Sequence, residues 1–312
     1  MALDPQFRTV LDRMAQMDAP PLTGGTAEQA RANYRTLAMA RRSDDYRPEA
    51  VAAVTDDRVD GPLGPVPVRV YRPEGGDDQP VVTYLHGGGW VVGDIETHDP
   101  VCRRMANAVG AVVVSVGYHL APEHPHPAPL EDVMAALRWT AATFGGRPLG
   151  VAGDSAGASL AAGAAMRAAR GPDPLDLAAQ FLAYPAVDPA MGFPSVQANG
   201  EGYFLTGSDM AWFWHQYAPT PEAASDLDVA LLHAPVPEGL APAIIATAEY
   251  DPLHDEGVAY ATHLADAGVP VEHVEGDGLV HGFLAFLGVV DGADRCGSRA
   301  MAAFARLLRG DS

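Results

Sequence analysis

The most reactive arrangement in the chain centres on Ser155. It stands in Gly153-Asp154-Ser155-Ala156-Gly157, the G-x-S-x-G spacing of a nucleophile on a sharp strand-to-helix turn. Residues two before and two after the serine must lack bulk for such a turn to pack, and the hydroxyl is pushed out at the carboxyl edge of a sheet. In a chain with 33 glycines the pentapeptide alone says little. Its flanks give it weight, because Leu149 to Ala152 reads as a buried strand and Ala158 to Ala169 as a helix of small residues.

A serine hydroxyl needs a base to take its proton and a carboxylate to orient that base. On this kind of frame the order along the chain is serine, acid, histidine. Asp251 follows the apolar run Ala243 to Ala248, with Pro252 fixing the backbone behind it. His281 follows the strand-like run Val271 to Glu275. Glu249 and Asp255 are competing acids, whereas His233, His263 and His273 read as solvated or structural. Attack on a carbonyl also creates an oxyanion that preorganised N–H groups must meet. His86-Gly87-Gly88-Gly89-Trp90 directly follows the strand-like run Val81 to Leu85, and its unobstructed amides could serve with that of Ala156.

Two rival chemistries are weaker. A phosphate cradle would need a lysine, and the chain has none. His119, His124 and His126 cluster with Glu123, but spacing supplies no third ligand. Neither a metal nor a cofactor is expected.

These residues need elements that bring them to one edge. After Val66 to Tyr71, read as an edge strand because of Pro67, apolar strands alternate with helices. The helices are Thr97 to Val109, Leu130 to Phe144, His254 to Ala267 and Ala293 to Leu308; Ala111 to Val116 and Gln180 to Tyr184 are further strands. Such alternation implies a mostly parallel sheet covered on both faces, with its site at the strands' carboxyl ends. Before the strands, Phe7, Val10, Leu11, Met14 and Met17 mark one amphipathic helix. Pro20 and Pro21 break it, and Thr26 to Arg42 forms a second. One segment, Asp188 to Leu240, interrupts the alternation and carries Tyr203-Phe204-Leu205 and Trp212-Phe213-Trp214. That aromatic density suits a lid over the site.

The 312 residues, 48% of them hydrophobic, can bury a large core. A formal net charge of -20 argues against nucleic acid or anionic membrane partners. Coding bias explains the acidity better than salt adaptation. Cys102 and Cys296 read as reduced thiols. The N-terminus, with Asp4, Arg8, Asp12 and Arg13, lacks a signal-like apolar run, so a soluble cytoplasmic protein is expected. Monomer and homodimer stay open.

Assembled, the motifs HGGGW (86–90), YHLAPEH (118–124), GDSAG (153–157), EGYFLT (201–206), DPL (251–253) and HGF (281–283) resemble the hormone-sensitive lipase-like branch of the α/β-hydrolases, the bacterial family IV carboxylesterases. The resemblance implies an α/β-hydrolase domain in two parts, 46–187 and 241–312, with a helical cap built from 1–45 and 188–240. It implies Ser155, Asp251 and His281 as triad and Gly88, Gly89 and Ala156 as oxyanion donors, Gly87 being mainly conformational and His86 bracing the loop. It further implies cofactor-free cleavage of short- to medium-chain acyl esters through an acyl-enzyme. Trp90, Tyr184, Tyr203, Phe204, Leu205, Phe213 and Trp214 are the expected pocket residues. Gly117, His119, His254 and Ala158 depart from the family pattern, which bears on local stability and pH response. A ligand receptor on the same fold would lack the catalytic histidine. Amides, lactones and thioesters are not separated from esters by sequence.

Overall fold

Short runs of valine, leucine, isoleucine and alanine form the central strands, and their alternating side chains feed two cores. The computed structural model describes residues 2–16, 22–23, 25–40, 47–76, 78–170 and 174–310. Met17, Pro20, Pro21 and residues 41–46, part of the expected N-terminal cap and its boundary, lie outside them. The strands are β1 (Ala53–Gly61), β2 (Gly64–Arg72), β3 (Val81–Leu85), β4 (Val112–Val116), β5 (Leu149–Asp154), β6 (Ala179–Ala183), β7 (Ala243–Tyr250) and β8 (Val271–Val280). They make one sheet in the order β1-β2-β4-β3-β5-β6-β7-β8. Pairing is antiparallel from β1 to β4 and parallel from there to β8.

The edge assignment from sequence needs correction. β2 lies inside the sheet, bonded to β1 on one side and to β4 on the other. Its prolines are tolerated because Pro65 and Pro67 fall before the register with β4, which begins at Val68. The true edge is β1, whose Thr55 to Arg58 run is exposed and charged. An edge strand with little burial has no need of alternating apolar residues, so it left no periodic signal.

The helices are α1 (Pro5–Gln16), α2 (Ala27–Ala40), α3 (Ile95–Val109), α4 (Ala128–Thr143), α5 (Ala156–Arg170), α6 (Pro194–Ala198), α7 (Gly207–Tyr217), α8 (Pro221–Ala224), α9 (His254–Asp266) and α10 (Asp291–Arg309). On β3, Val81 and Leu85 join one core with α4, α5 and α9, while Val82 and Tyr84 join the other with α3 and α10. That is the period of two expected of a strand buried on both faces. Helix α3 starts at a capping box between Asp94 and Thr97 and stops at the left-handed Gly110. The cap at Asp94 also closes the loop that begins at His86.

Both strands that lead to the expected acid and base extend beyond their predicted ends. β7 runs to Tyr250 and β8 to Val280, so Asp251 and His281 are the first residues past them. Cys102 and Cys296 are free and buried, and burial raises the Cys296 thiol to about 11. No helix among the described residues is long and apolar enough to cross a membrane.

Candidate active site

Ser155 sits between β5 and α5 in the left-handed region, with φ 54. A β-carbon on Gly153 would stand 2.3 Å from the Gly157 carbonyl oxygen, and one on Gly157 would stand 2.1 Å from that of Leu85. Both flanking glycines are therefore steric requirements of the turn. The Ser155 amide donates to Ala183 O at 2.8 Å, which ties the turn to the end of β6. Strain at one residue persists where the surroundings over-determine it.

Three side chains from three strand ends meet in one row. His281 Nε2 lies 3.0 Å from Ser155 Oγ, and His281 Nδ1 lies 2.7 Å from Asp251 Oδ2. The other Asp251 oxygen accepts the Leu253 amide at 2.8 Å, and the residue is fully buried. Glu249 and Asp255 face elsewhere: Glu249 takes the Gly278 amide and Asp255 the Ser195 amide. Asn199 donates to the carbonyls of Glu249 and Asp251 at 3.1 and 3.2 Å, so the 188–240 segment braces the acid loop. Glu256, next on α9, accepts the Val187 amide, and burial pushes its carboxyl well above the usual range.

Gly87 and its neighbours are not equivalent. The Gly87 amide is committed to Asp154 Oδ1 at 3.0 Å, and a β-carbon there would stand 2.4 Å from Asp154 Oδ2. Gly88 and Gly89 instead line the cavity beside Ser155, with φ 122 and 57. Ala156 opens α5, where first-turn amides have no acceptor inside the helix. The three amides suit an anionic oxygen at Ser155. Asp154 also accepts the Tyr84 hydroxyl at 2.6 Å and lies 3.5 Å from His98 Nε2. Burial raises its pKa, but His98 and the hydrogen bonds from Tyr84 and Gly87 outweigh burial and lower it below the ordinary value. His86 stacks on Tyr118 at 4.4 Å and bonds the Gly87 carbonyl through Nδ1; burial lowers it to about 4, so it is neutral at pH 7.

The cavity above Ser155 is mostly apolar. Trp90, Phe204, Leu205, Phe213 and Trp214 line it. Tyr184 and Tyr203 do not, which corrects two of the expected pocket residues. Tyr184 lies beneath the site with its ring edge-on to His281 at 4.8 Å, because the chain turns at φ 39 as it leaves β6. Tyr203 packs on Tyr250 at 5.0 Å. Sequence reading missed Leu22, Tyr34, His98, Met210 and Ala285, which also line the cavity. Tyr34, His98 and Met210 lie on α2, α3 and α7, whereas Leu22 lies in a turn and Ala285 in a short 3₁₀ turn, neither of which carried a signal in the sequence.

His119 and His124 keep a ring contact at 4.7 Å, while the polar atoms of the cluster go to separate partners. His119 pairs with the buried Asp132 at 2.5 Å, His126 approaches Asp226 at 3.3 Å, and Glu123 pairs with Arg31. The position of Gly117 also has a local cause: a β-carbon there would stand 3.0 Å from the Pro67 ring. His254 bridges Asp255 and Glu275.

A serine on a strand-to-helix turn, an acid and a histidine at later strand ends, and a sheet that is parallel from β4 to β8 define the α/β-hydrolase class. The sequence model for the alpha/beta hydrolase fold matches residues 82–285. The chain belongs to this family, in its hormone-sensitive lipase-like branch. It is 42% identical over 274 residues to the esterase LipI of Mycobacterium tuberculosis, covering 82% of this chain and 83% of the relative. It is 36% identical over 286 residues to the ethyl acetate hydrolase of Pseudomonas putida, covering 88% of each. A solved hyperthermophilic esterase from the archaeon Pyrobaculum calidifontis superposes with a TM-score of 0.90 at 37% identity, covering 99% of each chain.

Proposed function

We propose that this carboxylesterase cleaves short- to medium-chain acyl esters through an acyl-enzyme on Ser155. His281 takes the Ser155 proton as the hydroxyl attacks the ester carbonyl, and returns it to the departing alcohol. Asp251 holds the imidazole tautomer and offsets its positive charge. Gly88, Gly89 and Ala156 offer their amides to the oxyanion of each tetrahedral intermediate, and water then repeats the sequence on the acyl-enzyme. Residues 188–240, with α1 and α2, act as the cap, and Phe204, Leu205, Phe213, Trp214 and Trp90 form the apolar wall against the ester's chains.

The observation that carries this reading is the unbroken row from Asp251 through His281 to Ser155, ending in an apolar cavity beside the Gly88-Gly89 turn. Release of p-nitrophenol from a series of esters, acetate to palmitate, tests it. The wild type is expected to turn over the shorter members and Ser155→Ala none. Equal turnover by both, or none by the wild type across the series, would sink the reading.

A further inference from the structure

The peptide group is planar, so the N–H of one residue and the C=O before it share a single orientation. That rule links Gly89 to a cap residue far from Ser155. The plane that carries the Gly89 N–H also carries the Gly88 carbonyl, which accepts the Val91 and Val92 amides at 3.1 and 2.9 Å. The plane that carries the Val92 N–H in turn carries the Val91 carbonyl. That oxygen accepts Arg31 Nε at 2.8 Å. Two peptide groups thus run in series from a guanidinium on α2 to the amide beside the nucleophile.

We propose that Arg31 is a positioning residue for the oxyanion site, fixing and polarising the Gly89 N–H through the Val91-Val92 and Gly88-Gly89 peptide groups. The inference rests on the reading of Gly89 as an oxyanion donor. Hydrogen bonds in series strengthen one another, and a charged donor at the head of the series strengthens it further. The same guanidinium grips Ala121 O at 2.9 Å and forks onto Glu123 at 2.9 and 2.5 Å. Ala121 itself donates to Trp90 O at 2.9 Å, so Arg31 holds both strands of chain behind the glycine turn. One turn along α2, Arg35 pairs with Asp94, the residue that caps α3 at the far end of the same loop. Tyr34, between them in sequence, lines the cavity. A cap helix that contacts substrate therefore also aims an oxyanion donor, and displacing it slackens that donor.

The test compares Arg31→Gln, Arg31→Lys and Glu123→Gln with the wild type, and includes Ser155→Ala as the control on the reading beneath. Readouts are kcat and KM for a p-nitrophenyl ester, the inhibition constant for a short alkyl trifluoromethyl ketone, and the melting curve. The ketone adds to the serine as an oxyanion and so reports the donor directly. Misalignment of one donor costs less than the hundredfold or more of its loss, so Arg31→Gln is expected to lower kcat about tenfold with KM within about twofold. The ketone should weaken by the same factor as kcat falls. Arg31→Lys, which keeps a charge for Val91 O without the fork, should fall between. Glu123→Gln leaves both carbonyl contacts and should change kcat by less than about twofold. A purely structural arginine would lower the melting curve and leave kcat and ketone affinity of the folded enzyme unchanged; that result overturns the inference. So does a Glu123→Gln loss as large as that of Arg31→Gln. Should Arg31→Gln fail to fold, unchanged ketone affinity in Arg31→Lys overturns it equally. Activity of Ser155→Ala equal to wild type would instead defeat the ester-hydrolysis reading, whatever the arginine variants do.

Discussion

Asp251 and Phe213 border the same site, yet different forces hold them. Asp251 lies one residue past β7, its two oxygens committed to His281 and to the Leu253 amide. Strand pairing and directional hydrogen bonds fix it. Phe213 comes from α7, and its ring lies over Gly89 so closely that a β-carbon there would stand 2.2 Å from it. The ring of Phe213 makes apolar contacts, with Trp212 edge-on at 5.3 Å. The comparison teaches that the strand-end loops specify positions to the atom, whereas the aromatic face of α7 specifies only a volume. Hydrogen bonds are directional and hydrophobic burial is not. Loss in the first region should therefore abolish turnover, and loss in the second should redirect it.

The largest effect is expected at Ser155. Ser155→Ala should lower kcat by about 10⁶-fold, judged by single members of a serine triad, with the melting temperature nearly unchanged. Asp251→Asn keeps the shape and offers the histidine the wrong partner, so a loss of about 10⁴-fold is expected by steady-state assay. A smaller loss would mean that Asp255 or Glu249 substitutes for it. Gly89→Ala brings the two regions into collision. Its methyl group must displace Phe213, at about 1–3 kcal/mol of stability, and activity should fall about 100-fold as the donor moves. Adding Phe213→Ala should restore part of the stability and little of the activity, as read by denaturant titration beside turnover. Full recovery of both would place Phe213, not the glycine backbone, in control of the donor.

Phe213→Ala and Trp214→Ala alone should leave kcat for the best ester within about tenfold and move preference toward longer chains. The ratio of kcat/KM between long and short acyl esters measures it, and a pocket methylene is worth about 1–3 kcal/mol of discrimination. The smallest effect concerns pH and lies behind the acid loop. The hydrogen bond to Glu275 raises His254 to about 9, with Asp255 adding to it and burial opposing. The folded value lies above the ordinary 6.5. Its stabilisation is therefore complete below about pH 6.5 and disappears as pH rises through about 9, at most about 3 kcal/mol and less once solvent screens the half-buried ring. Melting temperatures of wild type and His254→Gln should differ most near pH 6 and converge above pH 9.5.

Much of the site was legible because its chemistry is local. Gly153 and Gly157 announce the turn at Ser155, and the glycine run at 87–89 announces a backbone that must approach closely. Asp251 and His281 were legible as polar residues just past apolar runs. The helices on both faces followed from strands that are apolar throughout. Edge strand β1 was not legible, since Asp56, Asp57 and Arg58 face solvent and leave no pattern. Tyr184 and Tyr203 were misread for a related reason. An aromatic near a motif can face the ligand or brace the residues beneath it, and the chain's turn at Tyr184 decides which.

Sequence alone determined the candidate groups of the site and their order, because strand ends, turns and caps depend on neighbours a few residues away. The tertiary structure alone decided that the Gly87 amide serves Asp154 while Gly88 and Gly89 face the cavity. It also decided that Phe213 lies on Gly89 and that Arg31 reaches the Val91 carbonyl. Those contacts join segments 60 or more residues apart, and only packing of the cap against the sheet's edge sets them.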